Sequence, residues 1–171
     1  MKALWFTLLA LTLLATPASF AGDPTPPLKP AVEAELSRLP FYSVFDVLEV
    51  EVTGTAVTLK GKVSRESLKS DAETVAKLVP GVSAVENQIE TLPCRPCDDR
   101  IRLATYKAFC GSDGLSQYVY GSEDALHIIV ENRNILLKGT VQNQQHRDRA
   151  ETLAKNVSEV EAVVNNLIVR R

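Results

Sequence analysis

Two thiols three residues apart, in Cys94-Arg95-Pro96-Cys97, have the spacing in this chain that most directly suggests chemistry. A C-x-P-C element ahead of a helix can act as a dithiol redox site, because the helix N-terminus favours the thiolate. Here Asp98 and Asp99 follow at once and oppose thiolate formation, and the strand–helix–strand setting of such a site is absent. A structural disulfide in an oxidising compartment is the better expectation. If Asp99–Phe109 is helical, Cys97 and Cys110 lie about 20 Å apart, whereas a disulfide needs Cα atoms within about 7 Å. The pairing Cys94–Cys97 is therefore favoured and Cys110 is an odd thiol, with Cys94–Cys110 still open should that helix be shorter.

The remaining polar residues assemble no catalytic or metal set. His127 and His146 lie on different elements without i, i+4 spacing, and a lone CxxC is half a zinc site. His146, beside Arg147 and Arg149, reads as a surface corner. No Ser/His/Asp arrangement stands out, so no enzyme activity and no cofactor is expected. Gly61 and Gly139 lie inside strands, where the reading is structural rather than a ligand contact. Asn87 and Asn165 recur at one place in a strand and read as structural amides at a turn or strand edge.

A surface contact is easier to place. Ile101, Ala104, Thr105 and Ala108 form one stripe of the helix Asp99–Phe109, which leaves Leu103 and Tyr106 on another face near Arg100, Arg102 and Lys107. Apolar side chains among basic ones are what an interfacial helix uses on anionic lipid. The segment Cys110–Asp124 adds Leu115, Tyr118, Val119 and Tyr120 as an alternative protein-binding patch. Against the lipid reading, Leu103, Tyr106 and Phe109 could instead cover a junction between domains or lie beneath that segment.

What positions these residues is a duplication. Val57–Glu90 aligns without a gap on Ile135–Ile168 at an offset of 78 residues, with 14 of 34 positions identical. Within the first copy, Leu48, Val50 and Val52 alternate with acidic residues, and Val57, Leu59 and Val63 follow Gly54 in the same period, which predicts a hairpin. Ser64 is the expected N-cap of a helix with the stripe Leu68, Ala72, Val75, Ala76 and Val79, stopped at Pro80-Gly81. A last strand is predicted over Val82–Thr91. The second copy gives strands at Leu126–Glu131, Ile135–Val141 and Val160–Val169 and a helix at Gln144–Val157. Short helices are expected to open the copies at Ala31–Leu39 and Asp99–Phe109. The fold class is α+β: two tandem αββαβ domains, each with two helices on one face of a three-stranded mixed sheet whose last two strands are parallel.

Composition limits the class further. The chain has 171 residues, 45% hydrophobic and 23% charged, with 19 basic against 21 acidic side chains. That is a folded chain, and its net charge of −2 argues against nucleic acid. Met1-Lys2, the apolar run Ala3–Ala15 and the small residues Ser19 and Ala21 read as a cleaved signal peptide over residues 1–21. The expected organisation continues with a proline-rich extended arm at 22–30, a first domain at 31–92, a linker at 93–97 holding the CxxC, and a second domain at 98–171. So short a linker implies that the domains pack together. The mature chain is expected to be exported to the periplasm without a lipid anchor or transmembrane segment.

Val57, Leu59, Gly61 and Val63 before a helix, with Val82, Val85, Asn87 and Ile89 after it, recur as Ile135, Leu137, Gly139, Val141, Val160, Val163, Asn165 and Leu167. This pattern resembles the BON family. The resemblance implies a non-enzymatic binding module associated with phospholipid surfaces, envelope integrity and stress, including osmotic stress, or an interaction domain for envelope proteins. Three departures stand out: Glu159 replaces Gly81, His146 replaces Leu68, and the second copy carries the Cys110–Asp124 insertion.

Overall fold

A computed structural model describes residues 27–120 and 126–170. The expected signal peptide and most of the expected arm lie outside the described residues. The first repeat runs α1 (Leu28–Ser37), β1 (Val47–Thr53), β2 (Ala56–Val63), α2 (Glu66–Leu78) and β3 (Ala84–Thr91). The second runs α3 (Pro96–Cys110), α4 (Ser116–Tyr120), β4 (His127–Glu131), β5 (Asn134–Val141), α5 (Gln144–Lys155) and β6 (Ala162–Val169). Each repeat forms its own three-stranded sheet, ordered β1-β2-β3 and β4-β5-β6. The hairpins are antiparallel, Val50 facing Leu59 and Ile128 facing Leu137, and the last two strands are parallel.

Alternation puts one face of each sheet under its helices. Val50, Val57, Leu59 and Ile89 pack against Leu68, Ala72 and Ala76 of α2 and Val32 and Leu36 of α1. Ile128, Val130, Ile135, Leu137 and Leu167 pack against Ala150 and Ala154 of α5 and Ile101 and Phe109 of α3. Each large side chain so buried contributes about 1.5–3 kcal/mol. Gly61, at φ +130°, lies so close to β1 that a Cβ would fall 2.0 Å from the Val47 carbonyl oxygen. The glycine thus serves strand packing, and Gly139 repeats its conformation at φ 127°.

Several expectations need correction. Helix α1 begins at Leu28 and takes in residues expected in the extended arm, because Pro27 at the cap and Pro30 in the first turn forgo N–H groups that have no helical partner there. Helix α3 begins at Pro96, which draws Cys97 from the expected linker into its first turn. Ser64 caps nothing. Helix α2 starts after Arg65 with no side-chain cap, since Ser64 donates both its N–H and its hydroxyl to Asp46. The buried stripe of α3 is Asp98, Ile101, Arg102, Thr105 and Phe109, with Ala104 exposed and Ala108 half-buried. The helix is rotated because Phe109 outweighs the alanines in apolar area and Arg102 reaches the Val130 carbonyl.

The insertion is not a surface patch. Leu115, Tyr118 and Val119 enter the second core. The Tyr118 hydroxyl accepts the Gln142 N–H at 2.9 Å and bonds His146 Nδ1 at 2.8 Å. His146 is accordingly half-buried beneath α4 rather than a surface corner.

The outer faces of the two sheets differ. One row across the first sheet reads Glu51, Thr58, Glu86, and the matching row of the second reads Ile129, Leu136, Val164. Val47 and Leu92 of the first repeat cover Ile129 and Leu136, while Val164 and Ile168 remain exposed.

Candidate functional site

The site is built on the junction between the repeats, and Asp46 is its anchor. Asp46 is fully buried. Its carboxylate accepts the N–H and hydroxyl of Ser43 at 3.0 and 2.7 Å, and those of Ser64 at 2.6 and 2.7 Å. This fixes the turn before β1, which offers its apolar residues to the second domain. The Val44 carbonyl accepts the Ile128 N–H at 2.6 Å, and Phe45 packs on Tyr106 with ring centroids 5.6 Å apart. Ion pairs Lys62–Glu131 and Lys138–Glu49 flank the junction. The pair with Glu131 holds the Lys62 pKa up. The expected close packing of the domains is therefore present.

Tyr42 and His127 meet at the same junction, 5.9 Å between ring centroids. Burial pushes the Tyr42 phenol up to about 12. Burial also lowers the His127 pKa, only partly offset by the nearby Asp46 and Ser43 backbone and by the Asp46 charge. His127 Nδ1 is buried with no hydrogen-bond partner.

A cleft of about 310 Å³ opens where α3 passes the start of α2, lined by Phe45, Ser64, Arg65, Asp99, Arg102 and Leu103. Arg102 is held by Asp99 and by the Val130 carbonyl at 3.2 Å, and its Nε has no partner. Arg65 lies over the ring of Phe41, 4.8 Å from its centroid. Phe41 is itself exposed and holds a left-handed φ of 67°, an outlier for so bulky a residue. None of Phe41, Phe45 and Arg65 carries a local sequence signal, because their partners lie far along the chain, and Asp46 joins a near partner, Ser43, to a distant one, Ser64.

The sequence-predicted contact residues divide. Leu103 and Tyr120 are exposed, Lys107 is exposed and Tyr106 is half-buried against Phe45. Leu103, Tyr106, Lys107 and Cys110 follow one face of α3 at i, i+3, i+4 and i+7. The neighbouring Cys110 thiol pushes the phenol pKa values of Tyr106 and Tyr120 up. Leu115 and Tyr118 are core residues and cannot contact a partner. Cys94, Cys97 and Cys110 are free thiols here, the first two exposed. Because α3 runs unbroken from Pro96 to Cys110, the shorter helix that a Cys94–Cys110 pairing called for does not occur. No helix among the described residues is long and apolar enough to cross a membrane.

Two αββαβ units, the second with the short helix α4 inserted, are joined through a shared junction and define a tandem α+β domain protein. The BON domain profile matches residues 32–93 and 98–171. The chain belongs to the BON domain family. It is 28% identical over 128 residues to Osmotically-inducible protein Y of Escherichia coli (strain K12), covering 70% of this chain and 60% of that relative. The chain thus spans less than two thirds of the relative it matches. Among solved structures it is similar to the C-terminal domain of CdsD, the structural protein of the type III secretion system of Chlamydia trachomatis. That match has 15% identity and a TM-score of 0.33, over 84% of this chain and 66% of that one. A second CdsD structure gives 14% identity and a TM-score of 0.28, over 82% and 90%. Both similarities are too low to bear on function.

Proposed function

We propose that this protein is a non-enzymatic periplasmic binding module of the cell envelope, active under osmotic stress, which contacts anionic phospholipid through α3. Membership of the BON family and the similarity to an osmotically inducible protein support the setting. The observation that carries the contact is the strip of exposed Leu103, Lys107 and Tyr120 beside half-buried Tyr106. An apolar strip with flanking cations suits the headgroup boundary of a bilayer. Co-sedimentation with phosphatidylglycerol vesicles tests it. Binding should be weakened by salt, absent on phosphatidylcholine, and lost in the double variant Leu103→Asp, Tyr120→Asp. Unchanged binding of that variant removes α3 from the contact.

A second reading, an interaction module for envelope proteins, is favoured by exposed Val164 and Ile168 on the outer face of the second sheet. Crosslinking from that face to envelope proteins tests it, and recovery of none counts against it. Cys94 and Cys97, both exposed and three residues apart, suit a structural disulfide in the periplasm. Alkylation with and without reductant, read by mass, should find both blocked before reduction; free thiols in periplasmic material refute the pairing.

A further inference from the structure

The cleft between the domains has a composition that solvent exposure alone does not account for. Two guanidinium groups from different domains line it, Arg65 at the start of α2 and Arg102 on α3, with a single carboxylate in the lining, Asp99, paired to Arg102. Arg102 is only 9% exposed. Although Asp99 and the Val130 carbonyl take its Nη groups, its Nε–H is left without an acceptor. A buried donor of a charged group that makes no bond is costly. Arg65 forms no ion pair among the described residues and spends one face of its guanidinium on Phe41, so its in-plane donors stay available. Helix α2 starts at this wall with no side-chain cap, and the partial positive charge of its first turn is set against the carboxylate of Glu66, which is outside the cleft lining. Phe45 and Leu103 supply apolar walls.

We infer that this cleft binds a phosphate-class anion, a phosphomonoester or phosphodiester, clamped between Arg65 of the first domain and Arg102 of the second. Arginine presents paired donors that match phosphate oxygens, and a volume of about 310 Å³ accommodates such a group. Asp99 is the built-in competitor, since it holds Arg102 when the anion is absent. The inference deepens the lipid reading above and rests on it for the physiological source: a phospholipid headgroup and free phosphate share this chemistry.

The test follows backbone amide signals of the exported chain by NMR during titration with inorganic phosphate and, separately, with short-chain dihexanoyl-phosphatidylglycerol. Saturable shifts are expected in Ser64–Ser67 and Asp99–Leu103. Arg65→Gln, at an exposed position, should weaken phosphate binding about tenfold. Asp99→Asn, also exposed, should tighten it roughly threefold by releasing Arg102. The opposite signs cannot both come from misfolding. If the cleft signals do not move, or move identically in both variants, the inference is overturned, whatever the vesicles do. If phosphate binds as expected and the short-chain lipid competes for the same signals, the headgroup is the source. Should phosphate bind while neither lipid nor vesicles do, the cleft stands as a site for free phosphate and the membrane reading falls.

Discussion

Asp46→Ala should be among the most damaging single changes in the first domain. The wild-type carboxylate is fully buried and accepts four hydrogen bonds, two from main-chain N–H groups and two from hydroxyls. The serine hydroxyls can rotate to other acceptors, but the N–H groups of Ser43 and Ser64 are fixed by the chain. Two orphaned buried donors cost about 2–5 kcal/mol together. For a chain of this size that corresponds to a fall in Tm of roughly 5–15 °C. The change reaches further than the first domain, because the turn that Asp46 holds presents Val44 to Ile128. Thermal unfolding followed by circular dichroism measures the first effect, and hydrogen exchange at the Ile128 amide measures the second. Exchange there should quicken well before global unfolding. A Tm within about 2 °C of wild type, with Ile128 still protected, would refute the role given to this carboxylate.

Other expectations follow from the same packing. Asn165 donates to the Arg147 carbonyl and to Glu151 and accepts the Leu167 N–H, and Asn87 repeats this with Lys69, Glu73 and Ile89. Either Asn→Ala change should cost about 1–3 kcal/mol in urea unfolding, and a loss confined to a few tenths would show the clasp to be idle. Glu159 holds a left-handed φ of 69° where the first copy has Gly81 at 95°. Glu159→Gly should raise stability by up to about 1 kcal/mol, because the relieved strain exceeds the exposed ion pair with Arg100; a drop larger than that argues against strain. His127, with its pKa lowered from 6.5 mainly by burial, is protonated first in the unfolded chain. Its contribution is therefore intact above pH 6.5 and lost as pH falls through the folded pKa. Unfolding between about pH 7.5 and pH 5 should show a slope that His127→Gln removes; an unchanged slope places the titration elsewhere.

The repeat made the architecture legible, because a gapless match over 34 residues carries strands, helix and Gly61 from one copy to the other. Position within a strand was readable for the same reason: alternation decides which side chains face inward. The rotation of α3 was not, since two alanines satisfied the spacing while Phe109 and Arg102 decided the packing through distant partners. Tyr118 was read as surface because an insertion has no counterpart to compare, and its bond to His146 links residues 28 apart. The asparagines were recognised as structural, but the spacing pointed to a strand edge and not to a tie between helix and strand. The cleft was invisible for a further reason: Arg65, Phe45 and Arg102 come from three segments whose meeting depends on domain packing.

The apolar row Ile129, Leu136 and Val164 has a consequence for how the chain must mature. Cut from its neighbour, the second domain would present this row bare, a template for self-association. The first domain carries Glu51 and Glu86 in the matching places, so that row of its outer face stays polar when it stands alone. Because it comes earlier in the chain, it emerges first during synthesis. A folded surface bearing Val47 and Leu92 then stands ready when the second sheet forms. The order of the two domains thus makes the covering surface before the apolar row that it covers.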